Sequence, residues 1–162
     1  MYEHIKFKNA INMRKANYDK FPSTKLTGML VLGWDAIISV LKNQMDARKV
    51  LAVDLYTGVY EEEVLDAFSK EFSGRVMNVR DLMKPENEIQ TLTERFMTED
   101  VLFGYVTNLK LEDYLDADKV AAARKQISEA KETIVIIGTG AAVVAPQDAM
   151  VVYADMARWE IQ

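Results

Sequence analysis

Short apolar runs and amphipathic stretches alternate along this chain. The runs VLAV at 50–53, RVMNV at 75–79, VLFGYVT at 101–107, TIVIIG at 133–138 and AMVVY at 149–153 are too short for buried helices and suit strands. TIVIIG is the clearest of them, β-branched and apolar without a break. Between the runs, apolar residues recur at helical spacing. Trp34, Ile37, Ile38, Leu41 and Met45 share one face of a helix expected over 33–45. Val64, Leu65, Phe68 and Phe72 do the same over 60–72, where Gly74 supplies the stop. Pro85, Glu86 and Glu88 favour a helix start that runs on to residue 97. The Ala-, Lys- and Glu-rich residues 116–132 predict a further helix, and residues 154–162 a last one beginning at Asp155.

Strands that alternate with helices imply a mainly parallel sheet with helices on both faces, here a three-layer α/β sandwich of about five strands. No repeat, low-complexity segment or Pro/Gly-rich linker interrupts residues 29–162, which read as one domain. Residues 1–28 are a polar lead-in with a turn at Phe21-Pro22-Ser23-Thr24. The last expected helix runs to Gln162 with no Gly, Pro or polar tail, which predicts that this domain is the N-terminal part of a longer polypeptide.

Composition narrows the function classes. The 20 basic and 25 acidic side chains give a net charge of −5 with no basic block, which argues against a nucleic-acid-binding surface. The absence of Cys excludes disulfides, Cys-ligated zinc and thiol nucleophiles. No apolar run approaches a membrane span, and MYEHIKFKNAINMRK is too polar for a signal peptide, so a cytoplasmic protein is expected. His4 is the single histidine and builds neither a catalytic triad nor a multi-His metal centre alone.

The stretch KVLAVDLYTGVYEEEV at 49–64 carries the main candidate chemistry. It is a strand, a Tyr56-Thr57-Gly58 turn and a helix start, the layout in which α/β proteins place phosphates on free N–H groups. A nucleotide-binding P-loop also needs a Lys and a Ser or Thr after its second Gly. Here Val59-Tyr60 follows Gly58, the next lysine is Lys70, and Glu61, Glu62 and Glu63 oppose an incoming anion. Gly138-Thr139-Gly140 follows a strand but lacks the third Gly of a dinucleotide fingerprint. The interval to the next strand is too short for a crossover helix, so a tight loop beneath a pocket is expected. Asp54 and Asp81 fall at strand ends on the ligand-binding edge, where a carboxylate takes a hydroxyl proton, holds a metal, caps a turn or bonds to loop N–H groups. Asp155 and Arg158 sit three apart at a helix start, as a cap with a local ion pair or as part of a phosphate-facing lid.

Taken together, DLYTGVYEEEV at 54–64, the Arg80-Asp81-Leu82-Met83 step, LEDYLDADKVAAAR at 111–124 and IVIIGTGAAVVAPQDAMVVYADMARWEIQ at 134–162 resemble a bacterial family. It is the N-terminal domain of class I mannose-6-phosphate isomerase-like proteins, in which such a domain precedes a cupin-type isomerase region. Its members carry a Tyr-Pro-Gly-Val turn, where this chain has Thr57 in place of the Pro. The closing Tyr153-Ala154-Asp155, followed by Ala157-Arg158-Trp159-Glu160-Ile161-Gln162, is the most specific part.

The resemblance implies an accessory α/β domain in sugar-phosphate metabolism, attached to an enzyme that interconverts mannose 6-phosphate and fructose 6-phosphate. It places the zinc, on two His, a Gln and a Glu, in the cupin region, so that no cofactor is expected in this chain. The implied partner is a downstream cupin-type isomerase domain or a second copy, with a phosphorylated small molecule as ligand and neither nucleic acid nor membrane. The domain is also similar to a degenerate uridine-kinase-type P-loop fold, with stations at Tyr56, Thr57 and Gly58, at Asp81, at residues 134–138 and at residues 150–155. That similarity implies the alternative, a nucleotide- or sugar-phosphate-binding regulatory domain in which the catalytic Lys and Ser/Thr are lost. Its candidate ligand contacts are Asp54, Tyr56, Thr57, Gly58, Asp81, Gly138, Gly140, Asp155 and Arg158. An active kinase is disfavoured by the missing Lys, because phosphoryl transfer rests mostly on electrostatic stabilisation.

Overall fold

The computed structural model describes residues 23, 25, 27–45, 47–100 and 102–156. Two compact units divide the chain, Met1–Leu30 and Val31–Gln162, and the architecture below belongs to the second. His4, most of the lead-in expected at 1–28, Arg158 and most of the helix expected over 154–162 lie outside the described residues; Ala154, the first residue of that range, is instead the last residue of a strand.

The apolar runs form a four-stranded, wholly parallel sheet: β1 (Val50–Leu55), β2 (Arg75–Asn78), β3 (Ile134–Gly138) and β4 (Met150–Ala154), in the order β2-β3-β1-β4. The central strands β3, and β1 up to Val53, are unbroken apolar runs because both of their faces are covered. Val50 and Ala52 of β1 and Ile134 and Ile136 of β3 enter one core, while Leu51, Val53, Leu55, Val135 and Ile137 enter the other. Helix α1 (Trp34–Met45) and helix α2 (Glu61–Glu71) cover the second core with Ile38, Leu41, Met45, Val64 and Phe68. Helix α4 (Ala117–Glu129) and the one-turn helix α5 (Ala141–Val144) cover the first with Val120, Ala123, Ile127, Ala141 and Val144. The result is the three-layer α/β sandwich that the alternation predicts. Asp116 caps α4 by accepting from the N–H groups of Asp118 and Lys119, both at 3.0 Å.

Three expectations are corrected. Residues 102–107 form no strand, so the sheet has four strands among the described residues and not five. Asp100 takes the N–H of Leu102 (2.8 Å) on its side chain, and the Tyr105 N–H bonds back to Phe96 O (2.8 Å) at the end of helix α3 (Glu86–Glu94). These local bonds tie the segment to Asp100 and Phe96 in place of a sheet ladder. The second strand is also shorter than RVMNV. It stops at Asn78, whose side-chain oxygen accepts the Arg80 N–H at 2.8 Å and starts a 3₁₀ turn over Val79–Leu82. Finally, the link from β3 to β4 does carry a helix. One turn, α5, suffices to pass over β1, because β4 needs to reach only the far side of that single strand.

Candidate functional site

Strand β1 leads into α2, which packs on one face of the sheet; its neighbour β3 leads into α5, which packs on the other. Adjacent parallel strands whose chains leave to opposite faces open a crevice at their carboxyl ends, the topological switch point where open α/β sheets bind ligands. The loop Tyr56-Thr57-Gly58-Val59-Tyr60 forms one wall of this crevice, and Thr139 of the Gly138-Thr139-Gly140 loop faces it.

Asp54, the last polar group of β1, is tied to the facing loop. Its Oδ1 accepts the Gly140 N–H at 3.1 Å and its Oδ2 the Ala142 N–H at 2.9 Å. Gly138 (φ 135°) and Gly140 (φ 90°) turn these N–H groups toward β1, and Asp54 fills the position that an external anion would take in such a nest. Thr139 Oγ1 donates to Leu55 O at 3.0 Å, and the Tyr56 N–H donates to Ala154 O at 2.9 Å. The end of β1 is thereby held from both sides. Bonding to loop N–H groups, one of the roles weighed for Asp54, is thus present.

Beyond this brace lie two adjoining grooves. The larger, about 430 Å³, is lined by residues 55–62 with Arg80 and Thr139. The smaller, about 350 Å³, lies between Glu61, Arg80, Met83, Leu111, Tyr114 and Thr139. The structure thus brings Asp54, Tyr56, Thr57, Gly58, Gly138 and Gly140 to one edge of the sheet. Asp81 is exposed and lines neither groove; its neighbour Arg80 lines both. Asp155 accepts the N–H of the next residue, Met156, at 2.8 Å.

The acidic triplet at the start of α2 is dispersed. Glu61 accepts Asn78 Nδ2 at 2.8 Å and Arg80 Nη2 at 3.0 Å, Glu63 accepts Trp34 Nε1 at 2.8 Å, and Glu62 faces the larger groove. Sequence reasoning missed Arg80 and Glu61 as cleft residues. The available signal was the position of Arg80 just past the end of β2, on the same sheet edge as Gly58.

Tyr153, on β4, meets Tyr56 edge-to-face with ring centroids 6.4 Å apart. Its phenol is raised above the ordinary value, first by desolvation and then by Asp155, Tyr56 and Asp54. The folded state therefore favours the neutral phenol. That contribution to stability is present below the ordinary phenol value of about 10 and is lost as pH rises through the raised folded value. Tyr153→Phe is expected to flatten the alkaline limb of a melting-temperature profile. An unchanged limb would show that the Tyr153 phenol does not contribute to the alkaline loss of stability.

The fold and this crevice define a parallel α/β domain with a switch-point cleft. Residues 33–162 match the model of a protein family described as a domain of unknown function (DUF8485), and the chain belongs to that family. No curated protein and no solved structure matches it. Among the described residues no helix is long and apolar enough to cross a membrane, and no group of three or more His, Cys, Asp or Glu is placed to hold a metal ion.

Proposed function

We propose that this domain binds a phosphorylated small molecule, a sugar phosphate or a nucleotide, and does not itself transfer the phosphoryl group. One observation carries the reading: both grooves open at the carboxyl edge where β1 and β3 send their chains to opposite faces. Among the described residues Arg80 is the one cation lining them, and no lysine stands beside Gly58 in the sequence to stabilise a transferring phosphate. Tyr56, Thr57 and Tyr60 add hydroxyl groups and aromatic faces suited to a hydroxyl-rich ligand.

The test is ligand-dependent melting of the full chain with mannose 6-phosphate, fructose 6-phosphate, uridine and ATP. A ligand at a hundred times its Kd is expected to raise the melting temperature by about 5–10 °C. Absence of a shift with all four would remove the binding reading.

The second reading is the catalytically inert accessory domain of a cytoplasmic mannose-6-phosphate isomerase-like protein. It is supported by the resemblance of the closing residues, of which Tyr153, Ala154 and Asp155 lie at the end of β4 beside the cleft. In that setting the zinc and the isomerase chemistry belong to a downstream cupin region. A source reading frame that continues past the Gln162 codon into a His- and Glu-bearing cupin stretch is the expected result, and a stop codon there removes this reading.

A further inference from the structure

Two charged side chains, Glu61 and Arg80, line both grooves, and their ion pair of 3.0 Å stands between them. Asn78 holds both partners: its Nδ2 donates to Glu61 Oε1 and its Oδ1 accepts the Arg80 N–H, each at 2.8 Å. The Glu61 side chain is only 20% exposed, whereas that of Arg80 is 67% exposed. The guanidinium is therefore presented to solvent at the mouth of the cleft, with one of its donors covered by a carboxylate from the opposite wall.

We infer that the Glu61 carboxylate stands in for the phosphate of the ligand, and that a phosphomonoester of a hydroxyl-rich compound binds by displacing Glu61 from Arg80. The inference rests on the binding reading above and names the group that recognises the phosphate. Arg80 is the exposed end of this pair, so an incoming anion reaches the guanidinium from solvent. A phosphate offers the guanidinium a bidentate partner of higher charge than a carboxylate. Glu61 Oε1 keeps its hydrogen bond from Asn78 when Arg80 turns away, and Oε2 is left facing the groove. With the pair parted, the two grooves join, and the polyol of the ester lies in the larger one beside Tyr56, Thr57 and Tyr60.

The experiment is calorimetric titration of the full chain with mannose 6-phosphate, inorganic phosphate and unphosphorylated mannose, using wild type, Glu61→Gln and Arg80→Ala. Glu61→Gln preserves the Asn78 contact and removes the competing charge, so mannose 6-phosphate is expected to bind on the order of fivefold more tightly. Arg80→Ala is expected to weaken it at least about tenfold. Inorganic phosphate is expected to compete in wild type and to lose that competition in Arg80→Ala. Melting of each unliganded variant checks that the fold is intact. Wild-type binding of mannose 6-phosphate that Glu61→Gln leaves unchanged would overturn the displacement while leaving the cleft a binding site. Equal binding of mannose and mannose 6-phosphate would do the same for a phosphate subsite. No heat with any probe in any variant, together with no melting shift from the nucleotide panel, would take both readings down.

Discussion

Gly138→Ala is expected to lower the melting temperature by about 10 °C, the summed effect of a strained backbone and an overpacked core. Gly138 ends β3 at φ 135°, a region that side chains rarely adopt, and it pairs with Asp54 of β1. A methyl group there would stand 2.9 Å from Val79 Cβ and 3.4 Å from the Val79 backbone N. Val79 is 1% exposed and begins the 3₁₀ turn that carries Arg80, so it has little room to retreat. Trimming it to Ala leaves the offending Cβ in place, and Gly138→Ala/Val79→Ala is therefore expected to melt no higher than the single variant. Calorimetry or urea unfolding of both proteins decides the matter. A Gly138→Ala protein that melts within about 2 °C of wild type would mean that the sheet edge yields more than a packed core allows.

Asp54→Ala is the second large effect, about 2–3 kcal/mol, or about 5–10 °C in melting temperature. The substitution leaves the N–H groups of Gly140 and Ala142 without their acceptor and removes the brace between β1 and the start of α5. Asp54→Asn keeps one acceptor oxygen and is expected to lose about half as much. The ordering wild type, Asn, Ala in urea midpoints, at constant m-value, is the expected result. An Ala variant as stable as the Asn variant would show that the carboxylate does not hold the loop.

The same two residues show how far local sequence reasoning reaches. The runs at 50–53 and 133–138 announce buried parallel strands because both of their faces are apolar, and the structure covers both faces. The helical spacing of Ile38, Leu41 and Met45, and of Val64 and Phe68, likewise places those residues in the core. Bonding to loop N–H groups was readable as a role for Asp54, but which groups it takes was not, since its two partners lie 86 and 88 residues further on. VLFGYVT carries strand-like composition, yet a strand also needs a neighbour, and Asp100 instead recruits the N–H groups of Leu102 and Phe103. The choice between Arg80 and Asp81 for the cleft was made by one side chain, Asn78, which ends β2 and sets the turn. Neither property has a periodic signature.

The strand order has a further consequence, for synthesis. β1 and β2 are made first but share no ladder, because β3 lies between them. A nascent chain that has not reached residue 134 therefore holds two strands without a mate, one of them the buried run VLAVDL. The sheet closes only when β3 threads between the earlier strands, so its nucleus joins segments distant in sequence, which slows folding and lengthens the time that apolar surface meets water. The domain is completed from its carboxyl-terminal fifth inward, and the cleft at the switch point comes into being in that same late step.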